Sequence, residues 1–119
     1  MEDKLFDSER KVMEVVWEKG DCPAREIALI LHEKIGWNKN TTYTVIKKCV
    51  QKGWMERIEP GFVCRAGISR EEAIEKDTDE FVNRVFGGSL PLLFSALLSG
   101  KKMSREEIAN LKEMIDKME

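Results

Sequence analysis

The chain has 119 residues, 42% of them hydrophobic and 35% charged, a composition that suits one or two small folded domains and excludes a disordered polyelectrolyte. Its longest apolar run, Leu90 to Leu98, is interrupted by Pro91 and Ser95 and is about half the roughly 20 residues a membrane span requires, so membrane insertion is not expected. The net charge of −2 is unevenly spread: residues 37–67 carry +4, while the segments before and after carry −3 each. A basic island of that kind steers a polyanion locally, because screening confines each charge to about 8 Å at physiological salt.

In chain order, a first helix is expected to start after Asp7 or Ser8, both good N-caps. It carries Val12, Val15 and Val16 at helical spacing and stops at Gly20. Pro23 suits the first turn of a second helix, whose apolar stripe is Ala24, Ile27, Ala28, Leu31 and Ile35, with Gly36 as its end. A third helix opens near Asn38 or Asn40, spans about residues 40–52 and ends at Gly53. It places Thr42, Val45, Ile46 and Cys49 on one side and Asn40, Thr41, Tyr43, Thr44, Lys47 and Lys48 on the rest. Two strands follow, Trp54 to Ile58 and Phe62 to Ala66, joined by a turn in which Pro60 fixes φ and Gly61 supplies φ > 0. Three helices and a hairpin in this order predict a winged helix-turn-helix over residues 1–67, within a chain that is mainly α with a small β-hairpin.

Residues 68–119 differ in character. Ser69-Arg70-Glu71-Glu72 and Ser104-Arg105-Glu106-Glu107 both match the capping box that opens a helix. The first of these helices sets Ile74, Thr78, Phe81 and Val85 at helical spacing and is broken by Gly87-Gly88; a short helix rich in Leu93, Phe94, Leu97 and Leu98 follows. The last carries Ile108, Leu111, Ile115 and Met118 at heptad-like intervals. About 50 residues seldom bury enough surface alone. A helical dimerisation domain is therefore expected, with Phe81, Val85, Leu93, Phe94, Leu97, Leu98, Ile108, Leu111 and Ile115 at the interface. Folding of these helices back onto the N-terminal domain is the alternative.

The third helix carries the chemistry. Thr41-Thr42-Tyr43-Thr44 has poor helix propensity, so another interaction must favour a helix there. Asn40 can pair bidentately with adenine, and Thr41 and Thr44 offer a hydroxyl and a methyl to a base or a phosphate. Tyr43 offers a ring and a hydroxyl to DNA, or packs on the wing. Lys39, Lys47 and Lys48 suit phosphates, which position a domain without reading sequence; Lys48 as a merely solvated charge is the other reading. Of the wing residues, Arg57 or Arg65 could reach the DNA backbone from the strands, with Arg65 the expected contact, whereas Glu59 at the tip would repel phosphate.

With the Trp37-led, Thr-rich helix, the hairpin, both capping boxes and Phe86-Gly87-Gly88-Ser89-Leu90 all in order, the chain resembles the BlaI/MecI/CopY family of penicillinase-type repressors over nearly its whole length. The resemblance implies a winged-helix DNA-binding domain, a helical dimerisation domain and repression at a palindromic operator. Thr41 and Thr44 match the family's recognition helix, and Trp37 matches the packing residue before it. Asn40 stands where the family has Lys and Tyr43 where it has Arg, which implies an operator of its own. In the penicillinase branch a membrane sensor protease inactivates the repressor by cutting an Asn-Phe bond in the helix after Gly-Gly. The matching bond here is Ala96-Leu97, and Asn-Phe occurs nowhere in the chain.

Other functions find less support. The chain has one histidine, His32, and no nucleophile–base spacing or phosphate-cradling Gly loop, so an enzyme is not expected. Cys22, Cys49 and Cys64 are odd in number, widely spaced and lack Cys-x-x-Cys; free thiols in a reducing compartment are expected, with no disulfide, metal or other cofactor. The polar opening Met1-Glu2-Asp3-Lys4 is no secretory signal, which suits the cytoplasm. A winged-helix protein-interaction module without DNA binding is the alternative function, and it would need exposed apolar anchors on the third helix.

Overall fold

The computed structural model describes residues 4–100 and 103–118. Its elements run α1 (Asp7–Lys19), β1 (Cys22–Pro23), α2 (Ala24–Ile35), α3 (Lys39–Gln51), β2 (Met55–Ile58), β3 (Val63–Ala66), α4 (Arg70–Phe86), α5 (Leu90–Ser99) and α6 (Arg105–Lys117). The chain divides into two compact units, Met1–Asp77 and Thr78–Glu119, with the division inside α4.

The first unit is a winged helix. Helices α1, α2 and α3 bury Val12, Met13, Val16, Ile27, Leu31, Val45, Ile46 and Cys49 against one another, and Trp54, Met55 and Cys64 close the core from the sheet side. Three antiparallel strands lie in the order β1-β3-β2, so the hairpin expected from the sequence has a third partner. Cys22 faces Cys64 and Pro23 faces Val63 across β1 and β3, and Met55 pairs with Ala66 across β2 and β3. Strand β1 escapes periodicity because it has two residues and one is proline, which is tolerated at a sheet edge.

The hairpin turn takes one residue more than expected. Gly61 has φ 93° and Phe62 has φ 49°, so both are left-handed and β3 begins only at Val63. The start of α1 also shifts. Phe6 rather than Asp7 or Ser8 occupies the N-cap, and the Phe6 N–H donates to the Glu9 carboxylate at 2.9 Å. Ser69 caps α4 as expected, its hydroxyl accepting from the Glu72 N–H at 3.1 Å.

The compact N-terminal unit reaches ten residues beyond 67 because the start of α4 packs onto α1. Ile68 and Ala73 are buried in the same core. The Trp17 indole donates to the Ile68 carbonyl at 2.8 Å, Arg70 pairs with Glu14 at 2.8 Å, and Arg10 pairs with Asp77. At Gly67 a side chain would collide with the Gly53 carbonyl, whose oxygen lies 2.7 Å from the position of a Cβ.

The second unit holds the remainder of α4 with α5 and α6. Ser89 caps α5 through the Leu92 N–H at 3.2 Å, and Ser104 and Glu107 form a reciprocal capping box at the start of α6. Neither α5 nor α6 contains a buried residue among the described ones. No single described helix is long and apolar enough to cross a membrane.

Candidate nucleic-acid interface

Helix α3 is a two-faced element, and its two faces fall where the 3.6-residue period puts them. Thr42, Val45, Ile46 and Cys49 are its buried residues; Asn40, Thr41, Thr44, Lys47 and Lys48 are exposed. Asn38, just before the helix, organises its first turn. The Asn38 side-chain oxygen accepts from the Thr41 N–H at 2.8 Å and from the Thr41 hydroxyl at 3.1 Å. This cap supplies the local stabilisation that the Thr-rich sequence lacks. The Thr44 hydroxyl donates to the Asn40 carbonyl at 2.9 Å, so both threonines spend their one proton inside the protein. Both residues are exposed, and a hydroxyl whose proton is engaged can still accept, which suits acceptance from a base amino group better than donation to phosphate.

Tyr43 is half-buried and packs edge-on against Phe62 of the wing, with ring centroids 5.9 Å apart. Lys39 stands over the same ring at 5.7 Å. Lys39, Lys47 and Lys48 have no ion-pair partner among the described residues, and all three are exposed.

The wing differs from what its charges suggested. Arg65 is engaged by Asp21 through a fork, with Nε 3.1 Å and Nη2 2.8 Å from the same carboxylate oxygen. That hydrogen-bonded contact holds the Asp21 carboxyl below the usual range and raises the Arg65 guanidinium. Arg57 pairs with Glu59 and stacks 3.6 Å over the Phe62 ring. Glu59 in turn accepts from the Phe62 N–H at 3.1 Å, and its pKa is lowered first by Arg57 and then by that amide. Each wing cation therefore already has a counter-charge.

Lys52 belongs to the basic island by sequence but points away from the exposed face. Its ammonium lies 3.0 Å from Glu9 Oε1 and 2.9 Å from Oε2, with Glu9 wholly buried. One signal could have exposed this pair: the Val12–Val16 stripe, extended back one turn, lands on Glu9, and an acid in a buried stripe needs a partner.

The three cysteines are buried and free. Burial, with Glu9 adding to it, pushes the Cys49 thiol up to about 12, and burial beside Cys22 pushes Cys64 to about 11. Among the described residues no three His, Cys, Asp or Glu side chains converge as a metal site requires.

Comparison with known proteins places this geometry. A family model described as penicillinase repressor matches residues 5–117. The penicillinase repressor of Bacillus licheniformis is 26% identical over 115 residues, which cover 95% of this chain and 90% of that one. The methicillin resistance regulatory protein MecI of Staphylococcus aureus (strain N315) is 23% identical over 122 residues, covering 98% of this chain and 99% of its own length. Among solved structures, the solution structure of the monomeric form of Bacillus licheniformis BlaI in complex with the blaP half-operator superposes with a TM-score of 0.54 at 23% identity. That match covers 60% of this chain and 90% of the other, and it confirms the winged-helix fold. The chain therefore belongs to the penicillinase repressor family, whose members are transcriptional repressors and not enzymes.

Proposed function

We propose that this protein is a homodimeric repressor that lays α3 in the major groove of a palindromic operator. The observation that carries the reading is the exposed face of α3, which is polar and basic and lacks an apolar anchor for a protein partner. Asn40, Thr41 and Thr44 read bases. Lys39, Lys47 and Lys48 hold phosphates and fix the register. Tyr43 acts through its packing on Phe62, setting the angle between helix and wing. Arg65 contributes to DNA binding only by exchanging Asp21 for a phosphate, so its share is small.

Dimerisation is assigned to the second unit. Phe81, Val85, Leu98 and Ile115 are between 42% and 51% exposed, and Leu93, Phe94, Leu97, Ile108 and Leu111 are only half-buried. A second copy covers them at no cost in new sequence. Release then follows from whatever separates the two C-terminal units. Cleavage at Ala96-Leu97 by a membrane sensor protease is one such route; the bond lies within α5, which must unwind locally to be cut.

Genome-wide recovery of DNA bound to the protein in its own cells tests the whole reading. A two-fold symmetric motif is expected, with half-sites about one or two helical turns apart. A motif without symmetry would remove the dimer from the proposal, and no enrichment at all would remove the operator.

A further inference from the structure

The one lysine of the basic island that the reading face does not use is Lys52, and the groups around it are specific. It is the C-cap residue of α3, its N–H bonded to the Lys48 carbonyl at 3.0 Å. Its side chain turns away from the exposed face and reaches α1. There the ammonium meets both oxygens of Glu9, donates to the Lys4 carbonyl at 3.2 Å, and sits 4.1 Å over the Phe6 ring. The Glu9 side chain is 1% exposed and that of Lys52 is 18% exposed. Glu9 also holds the Phe6 N–H, so one carboxylate gathers the start of α1 and the end of α3.

We infer that Lys52 is a positioning residue for DNA binding: it fixes the pose of the reading helix from behind, through Glu9, and touches no phosphate. Its contribution rests on the operator reading above, but the latch itself does not. A buried acid and cation hold geometry tightly because removing either one strands the other, whereas replacing both with apolar groups of similar volume is often tolerated. This asymmetry separates a latch from a phosphate contact.

The experiment uses the full chain and four proteins: the parent, Lys52→Met, Glu9→Met and the double variant. Hydrogen–deuterium exchange without DNA should show backbone amides over 48–54 and 6–10 exchanging about tenfold faster in each single variant, and recovering in the double. Protection equal to the parent in Lys52→Met would overturn the latch, whether or not the protein binds DNA. Anisotropy of a fluorescein-labelled duplex recovered from the genomic pull-down, read well below each variant's melting temperature, supplies the second arm. Each single variant should bind about tenfold more weakly, with at least half of that loss restored in the double. An unrestored loss, with a salt slope about one unit shallower, would make Lys52 a direct phosphate contact and overturn the proposal. A lower melting temperature with unchanged affinity would reduce the pair to a stability element and overturn it equally. A parent that binds no duplex in any sequence would sink the operator reading and leave the exchange arm to decide the latch.

Discussion

At the scale of single residues, the exposed side chains of α3 differ in what they can offer a partner. Asn40 is exposed and offers a donor and an acceptor on a short side chain, while Lys47 offers only a mobile charge. Asn40→Ala should cost about 1–3 kcal/mol at the operator and relax preference at one base position. Lys47→Ala should weaken all sequences alike and flatten the salt slope by about one. Titrations against an operator and a set of single-base variants, each at several salt concentrations, separate the two. The thiols make a different prediction. With Cys49 near 12 and Cys64 near 11, both stay protonated at neutral pH, where the thiolate is the reactive form. A disulfide-exchange dye should leave them unmodified in the native protein and label them promptly in guanidinium; fast native labelling would contradict their burial.

At the scale of elements, caps and the wing turn are the parts whose stability can be tested singly. Asn38→Ala removes the acceptor for the Thr41 N–H and should cost about 1 kcal/mol, a fall of several degrees in melting temperature by calorimetry. In the turn, Glu59 has a lowered pKa in the folded protein because Arg57 and the Phe62 N–H stabilise its charged form. A depressed folded value means that the contribution is complete above the ordinary carboxylate pKa. It is lost as pH falls through the depressed value. Melting curves across the acid range should therefore show Glu59→Gln converging on the parent at low pH and separating from it above; a constant gap would show that the charge does not matter.

Much at this scale could be read in advance. The buried side of α3 follows from the spacing of Thr42, Val45, Ile46 and Cys49, and Ser69 and Ser104 mark where α4 and α6 begin. The pairing of Arg65 with Asp21 could not be read, since the two are 44 residues apart and both lie on the surface, where no pattern in the chain records a partner. Nor could the left-handed Phe62, because a bulky residue there runs against its own preference and is held by the fold around it.

At the scale of the whole molecule, the two units differ in how far each satisfies itself. The winged helix encloses a core that includes Trp54, Met13 and Ile27, all under 2% exposed. In the second unit Phe81 and Ile115 remain 42% and 51% exposed. Phe81→Ser with Ile115→Ser should shift the protein to a monomer in light scattering at concentrations where the parent is a dimer, and operator affinity should fall with it. The monomer should still bind a half-site, because the substitutions leave α3 untouched. A parent that runs as a monomer throughout would remove the dimer from the picture.

The cations already spoken for also shape what the exposed ones can recognise. Lys52 faces Glu9, Arg57 faces Glu59 and Arg65 faces Asp21, so every arginine of the helix-and-wing segment is occupied and α3 itself carries none. The guanidinium fork is the commonest device for gripping guanine by its two major-groove acceptors. On the proposed reading, an asparagine amide and threonine methyls in its place would favour adenine and thymine. If α3 reads an operator as proposed, the contacted positions should be rich in A·T pairs, with the lysines on the flanking phosphates.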